Sequence, residues 1–554
     1  MNWASKSFQG LIATALAVSG AVSLAQSTIT TRELGSVHPL EVDVGGNLPS
    51  SVWSTGEASA LRASLTALPP SNSDAWVSAP AARLALNALL SGGRPPNGLR
   101  DDETVAVLRA DRALGAGRAE QVYELLSRTP EINRQADLSE LYAETAFALG
   151  QIEAACRAAA ALLTGRDGPY WLRARAACLA FEGNIPAAEL TSELARTSSS
   201  NPSFDRVFDA FTLGSGLPSN TRVESGLELA IAERLAPETR IDVAASAPGW
   251  LKSASERTGP AITLSGTLPE ALEAAVQMRG ADREAALGAL IQQDFDRVIA
   301  AEALAIRLRD AREAGAFLEV ADAYGPEVAG LPITPDTLAN GVLFVMAALG
   351  ADDVVAAASW HQALLDGPPR VAPRPALGPD GLPRSTGPGL TAPGVGTQLS
   401  PPDYANPVED ALAWTPPDPA ELVAVDFARK IASDDIRSSA FTALLLARLE
   451  NGSPARLCQA AALVALGARD GGELRTALIG AERGADAAKP VFGALLLSAR
   501  GRALGETQLL AADLLNRHSQ DLESCAVSAM ALDMAGLRAA ALRLVLEQVL
   551  EEPI

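Results

Sequence analysis

Three evenly spaced glycines constrain this chain more than any other feature. Gly117, Gly150 and Gly183 stand 33 positions apart, and each opens a similar string: Gly117-Arg118-Ala119-Glu120, Gly150-Gln151-Ile152-Glu153 and Gly183-Asn184-Ile185-Pro186. Seven residues before each glycine lies Ala110, Ala143 or Ala176, and five after it lies Val122, Ala155 or Ala188. Small side chains at those heights let two helices approach closely where they cross, and the glycine supplies the backbone that turns one helix into the next. From Glu103 onward the chain reads as helical segments of about 12 to 15 residues separated by short turns containing Gly, Pro, Asn or Asp. Aromatic residues are only 4% while Ala and Leu dominate, a mixture that favours helix over sheet. The expected fold class is all-α.

A repeat of this length marks stacked units, none of which can bury its apolar face alone. The three units resemble the tetratricopeptide repeat family, with its helical hairpins, small residues at the helix crossing and frequent Gly in the turn. The large aromatic and Leu positions of that family's first helix are filled here by Ala106, Ser139 and Leu172 and then by Arg109, Tyr142 and Arg175. The likeness is therefore to its geometry more than to its consensus. A fainter echo follows near the C-terminus, where Gly472 and Gly505 are again 33 apart and Gly536 follows at 31; between Asn201 and Gly367 no period is visible. The resemblance implies an α-solenoid of stacked helical hairpins whose concave surface binds peptides or other proteins.

Gly367 to Pro419 holds 14 prolines, a density of missing N–H donors that no helix survives. The expected organisation is a helical array over 103–366, a Pro/Gly-rich linker over 367–419 and a second helical array over 420–554. Residues 26–102 read as an irregular segment with one helix, Ala81 to Leu90, entered through Pro80. Further helix starts are legible at Thr267-Leu268-Pro269-Glu270 and at Ser453-Pro454. Residues 1–25 carry Lys6 and an apolar stretch from Leu11 to Leu24, ending in Ser23-Leu24-Ala25. That pattern predicts a signal peptide cleaved between Ala25 and Gln26, and a periplasmic or secreted mature protein. No later apolar run is long enough for a transmembrane span.

Lys plus Arg total 45 against 66 Asp plus Glu, a formal net charge of -21. Such an excess of negative charge excludes a nucleic acid partner. The three histidines, His38, His361 and His518, are far apart, and the four cysteines form no Cys-x-x-Cys, so neither a metal nor a cofactor is expected. Phosphate-loop and nucleophile-elbow motifs do not occur. One string, Glu224-Ser225-Gly226, looks like the start of the catalytic motif of soluble lytic transglycosylases, which would make Glu224 the general acid and base of a glycan-cleaving enzyme. The alternative is a helix N-terminus. No catalytic residue is assigned. The expected function is that of a non-enzymatic scaffold or adaptor which binds proteins of a bacterial envelope assembly. In an oxidising compartment Cys156 and Cys178 form a candidate disulfide, because each lies 11 residues from Asp167 in the turn between their helices and equal distances mean equal height in a hairpin. Cys458 and Cys525, with several helices expected between them, are not expected to pair.

Overall fold

Helix after helix in this protein ends in the same hydrogen-bonded turn. The computed structural model describes residues 38–73, 75–99, 103–117, 119–258, 266–293, 296–367, 416–449, 453–468 and 489–552. At Gly150 the backbone enters the left-handed region (φ 67°), and the next residue, Gln151, donates its N–H to Ala146 O, five residues back, at 2.8 Å. This arrangement satisfies the carbonyls left over at a helix C-terminus. It recurs at Gly183, Gly214, Gly315, Asp352, Asp434, Gly467, Arg502 and Gly536. The last four turns are separated by 33, 35 and 34 residues.

The C-terminal period therefore exists and includes Gly536 as expected, but its other turns are carried by different residues from those expected. Gly472 lies outside the described residues, and Gly505 is inside the helix Leu504–Arg517; the turn belongs to Arg502 (φ 53°). An alignment on glycine misses it because Asp and Arg occupy two of the four left-handed positions. Nor is Gly117 a left-handed residue: its role is close approach, since a Cβ there would stand 2.7 Å from a methyl of Leu86. The six small residues flanking the repeat glycines, Ala110, Val122, Ala143, Ala155, Ala176 and Ala188, are all buried, as helix crossing requires.

Among the described residues there are 26 α-helices and no strand; one isolated bridge joins Val223 to Val243. No described helix is long and apolar enough to cross a membrane. Contacts divide the chain into Met1–His38, of which only His38 is described, and Pro39–Ile554. The signal-peptide residues and most of the Pro-rich stretch, residues 368–415, lie outside the described residues.

Within Pro39–Ile554 the hairpins from Ala136–Ala148 to Ile185–Ser198 pack chiefly on their neighbours in sequence. The expected helix starts are present: Thr267 N–H donates to Glu270 Oε2 at 2.9 Å, and Ser453 Oγ accepts from Arg456 N. Two features depart from the expected organisation. The segment before residue 103 holds two helices, Ala58–Ala67 and Ala79–Leu90, rather than one. Both pack against the late helix Leu504–Arg517, so this segment is ordered by distant partners that its local pattern does not announce. Trp53 lies over Gly505, where a Cβ would come 2.3 Å from the indole ring, and Gly505 N–H donates to Val52 O at 3.1 Å. Asn516 accepts from Val77 N and Ser78 N (2.7 and 3.2 Å) and donates to Ala75 O.

Arg109, at a position where the tetratricopeptide pattern wants a large apolar residue, is 2% exposed. It donates to the carbonyls of Leu89, Pro39, Val42 and Ser91. Burial lowers its pKa to about 10, partly offset by Asp43. Four carbonyl partners are what allow a guanidinium to stay buried without a carboxylate against it.

The second departure concerns the cysteines. Helices Pro454–Ala465 and Leu522–Ala535 are direct neighbours, because the hairpin between them, Lys489–Arg500 with Leu504–Arg517, turns its second helix to the N-terminal segment. Cys458 and Cys525 are consequently bonded, with their Cα atoms 5.6 Å apart, against the expectation that they would not pair. Cys156 and Cys178 form the other disulfide, also at 5.6 Å.

Candidate functional site

The helices that bring the two ends of Pro39–Ile554 together leave a cavity of about 1010 Å³ among them. It is lined from the loop at Asn47, the helix Ala79–Leu90, the junction of Gly341–Gly350 with Val354–Asp366, the end of Pro419–Ala432, Gln508, and the helix Arg538–Leu550. Its volume is at the upper end for ligand sites.

One wall is an ion triad. Glu547, 4% exposed, stands between Arg83 (Nε 3.1 Å) and Arg543 (Nε 2.8 Å). The remaining nitrogens of both guanidinia reach main-chain oxygens: Arg83 donates to Leu318 O and Gly350 O, and Arg543 to Leu349 O and Gly350 O. Leu349 and Gly350 end a helix, where carbonyls carry the negative end of its dipole and suit a cation. Each arginine also has a more exposed carboxylate nearby, Asp322 for Arg83 (3.8 Å) and Asp352 for Arg543 (3.3 Å). A second pair, Arg538 with Asp434 (2.8 Å), closes the rim, and the remaining nitrogen of Arg538 donates to Leu466 O at 2.9 Å. The hydrogen bond from Arg538 holds the Asp434 carboxyl below its ordinary range.

One helical turn on from Arg83, the lining carries carboxamides. Asn87 Oδ1 accepts from Asn47 N at 2.9 Å, and Asn87 Nδ2 points to Gln508 Oε1 at 3.5 Å. Gln508 is 0% exposed, and its Nε2 has no hydrogen-bond partner among the described residues. The rest of the lining is aliphatic, including Leu84, Ile431 and Leu542, and no described lining residue is aromatic.

Glu224 is elsewhere and is exposed. Its own N–H donates to the buried Glu228 carboxylate (2.8 Å), while Ser225 Oγ accepts from Glu228 N (3.2 Å). The string thus caps the helix Gly226–Leu235. Gly226 completes it by close approach, since a Cβ there would lie 2.2 Å from Glu144 O. Behind this cap Glu144 Oε2 accepts from Gly226 N at 2.7 Å. Burial pushes the Glu144 carboxyl up to about 7, against the lowering effect of that N–H and of Tyr170; Glu140 and Glu228 add to the rise.

Trp360, beside His361, is 2% exposed, packs against Phe344 and donates to Val328 O; Trp414 lies outside the described residues. The described residues contain no group of three or more His, Cys, Asp or Glu placed to hold a metal. Sequence reasoning missed the cavity because its wall is assembled from segments between residues 47 and 547, none bearing a motif. Comparison with family models, with curated proteins and with solved structures found no match. The tetratricopeptide likeness accordingly rests on hairpin geometry.

Proposed function

We propose that the chain is an exported, non-enzymatic α-solenoid scaffold or adaptor that binds proteins of a bacterial envelope assembly through its helical surfaces. The observation that carries this reading is the recurrence of one hairpin turn, at 33 and 31 residues from Gly150 to Gly214 and at 33, 35 and 34 from Asp434 to Gly536. Stacked hairpins of that kind build a continuous core and present an extended surface, and such surfaces serve binding. Export is supported by the leader-like Lys6 and Ser23-Leu24-Ala25 pattern, and by two disulfides with no described cysteine left free, which suits an oxidising compartment.

The test is affinity purification of the full chain from cross-linked envelope fractions, with the mass of the native N-terminus read in parallel. A reproducible envelope partner and a chain starting at Gln26 are expected. A chain that retains Met1 in the cytosol, or that migrates alone in every envelope extract, removes the reading.

A further inference from the structure

The outer faces of the three N-terminal hairpins are not alike. In the 33-residue register, Glu124 and Arg128 of the first hairpin correspond to Arg157 and Ala161 of the second and to Leu190 and Leu194 of the third. Glu124 and Arg128 pair with each other, and Arg157 lies 3.7 Å from Glu153, all four side chains standing largely in water. Solvated charge of this kind suits the free outer surface of a repeat array. Leu190 and Leu194, in contrast, are 67% and 53% exposed. With the exposed Pro186 they form a ridge at four-residue spacing along the helix Ile185–Ser198, whose buried residues Ala188, Ser192 and Ala195 face the other way and which packs chiefly against Pro169–Phe181. One exposed leucine on a surface is ordinary. An apolar ridge at positions that the neighbouring units fill with charge is not, and its spacing is that by which a ridge of one helix enters a groove of another.

Charge selects the occupant. Glu189 and Glu193, both exposed, run beside the ridge. Arg196, the only basic residue between Ile185 and Ser198, is already shared among Glu193 (3.6 Å), Asp205 (3.0 Å) and Asp209 (2.5 Å). A second copy of the chain meeting this face with its own would set those carboxylates against their counterparts, an arrangement that opposes association. We infer that the ridge of Pro186, Leu190 and Leu194 is a docking surface for a basic amphipathic helix of another protein, with the partner's apolar residues on the two leucines and its Lys or Arg side chains against Glu189 and Glu193. This rests on the scaffold reading and places one partner on the outer face of the third hairpin.

The test places a photoreactive benzophenone side chain at position 190 of the full chain in its native cells, with a control probe at position 124, the same register position two units earlier. The expected result is a cross-link from 190 to a second protein, mapped to a segment with Lys or Arg flanking apolar residues at helical spacing. A synthetic peptide of that segment should bind the purified full chain. The double variant Leu190→Gln with Leu194→Gln should weaken that binding about tenfold or more, since two leucines then stay in water. Its melting temperature should hold, because both side chains are exposed in the free protein and Gln is a good helix former, which separates lost binding from lost fold. Glu189→Gln with Glu193→Gln should weaken binding about threefold and remove much of its salt dependence. Cross-links from 190 only to a second copy of this chain, a mapped segment without basic residues, or binding indifferent to the leucine substitutions each overturn the inference. Silence from 190 while affinity purification still recovers an envelope partner overturns it and leaves the scaffold standing; silence from 190 with no partner recovered removes both.

Discussion

Glu144 shows how a single residue records the packing around it. Its folded-state pKa of about 7 lies above the ordinary value of 4.5 because the carboxyl is buried beside Glu140 and Glu228. A raised acid is bound more tightly by its proton in the folded state than in the unfolded one. Its contribution to stability is fully present below about pH 4.5 and is lost as pH rises through 7. A shift of that size corresponds to a few kcal/mol at most. Glu144→Gln keeps an acceptor for Gly226 N, so urea unfolding should show little change at pH 5 and a gain of about 1 to 3 kcal/mol at pH 8. A variant weaker than wild type at pH 8 would mean that the site holds the anion, contrary to this account. The left-handed turns give a paired test. Nothing lies within 4 Å of a Cβ built at Gly150, so Gly150→Ala should lose only the backbone term, about 1 kcal/mol. Arg502 sits at φ 53° with no glycine to relieve it, and Arg502→Gly should raise the unfolding free energy measured in urea, by less than about 1 kcal/mol once the greater freedom of the unfolded glycine is offset. No change in either variant would show that the turns tolerate any residue.

At the scale of elements, legibility followed sequence distance. The helices of residues 103–198 could be read because each meets its neighbour across one short turn, so a local period reports a local contact. The Cys156–Cys178 bond belongs to this class, since both residues flank the turn around Asp167. Cys458 and Cys525 do not, because their contact depends on where the intervening hairpin folds, and nothing within 67 residues of sequence encodes that. The cavity was invisible for the same reason: Arg83 and Glu547 are ordinary charged residues on ordinary helices until the chain brings them to 3.1 Å. Glu224-Ser225-Gly226 was legible as a string, while its role as a cap required seeing Glu228 reach back to Glu224 N. Non-reducing peptide mapping of protein from its native compartment should yield two linked pairs, 156 with 178 and 458 with 525. In the chain-entropy picture the sequence separations of 22 and 67 residues correspond to about 3 and 4 kcal/mol, so replacing the second pair by serine should cost more. Free thiols at 458 and 525 would mean that the two helices do not meet as described.

For Pro39–Ile554 as a whole, the consequential contact is between helices near its two ends. An open repeat array is nearly one-dimensional, and its stability is a sum of units and nearest-neighbour terms, so its ends can fray independently. Here the helix Ala79–Leu90 packs on both Leu504–Arg517 and Arg538–Leu550, and the latter also touches Gly341–Gly350 and Pro419–Ala432. Glu547 joins a helix near each end: it pairs with Arg83 of Ala79–Leu90 and with Arg543 of its own helix. A pair of this kind adds little net stability against an apolar replacement, yet removing Glu547 leaves two half-buried guanidinia with only their carbonyls and more exposed carboxylates, a cost below the roughly 3 to 5 kcal/mol of a fully buried, unpaired charge. Glu547→Ala should therefore loosen distant segments together. Hydrogen exchange ought to rise in concert in 79–90, in 341–350 and in 538–550, three stretches that an open array would uncouple, while 136–198 should change little because its hairpins are stabilised by their own neighbours and by the Cys156–Cys178 bond. Faster exchange confined to 538–550 would show that the two ends merely touch. The concerted response would show that contact between the ends makes one cooperative body of helices whose sequence reads as a row of separate hairpins.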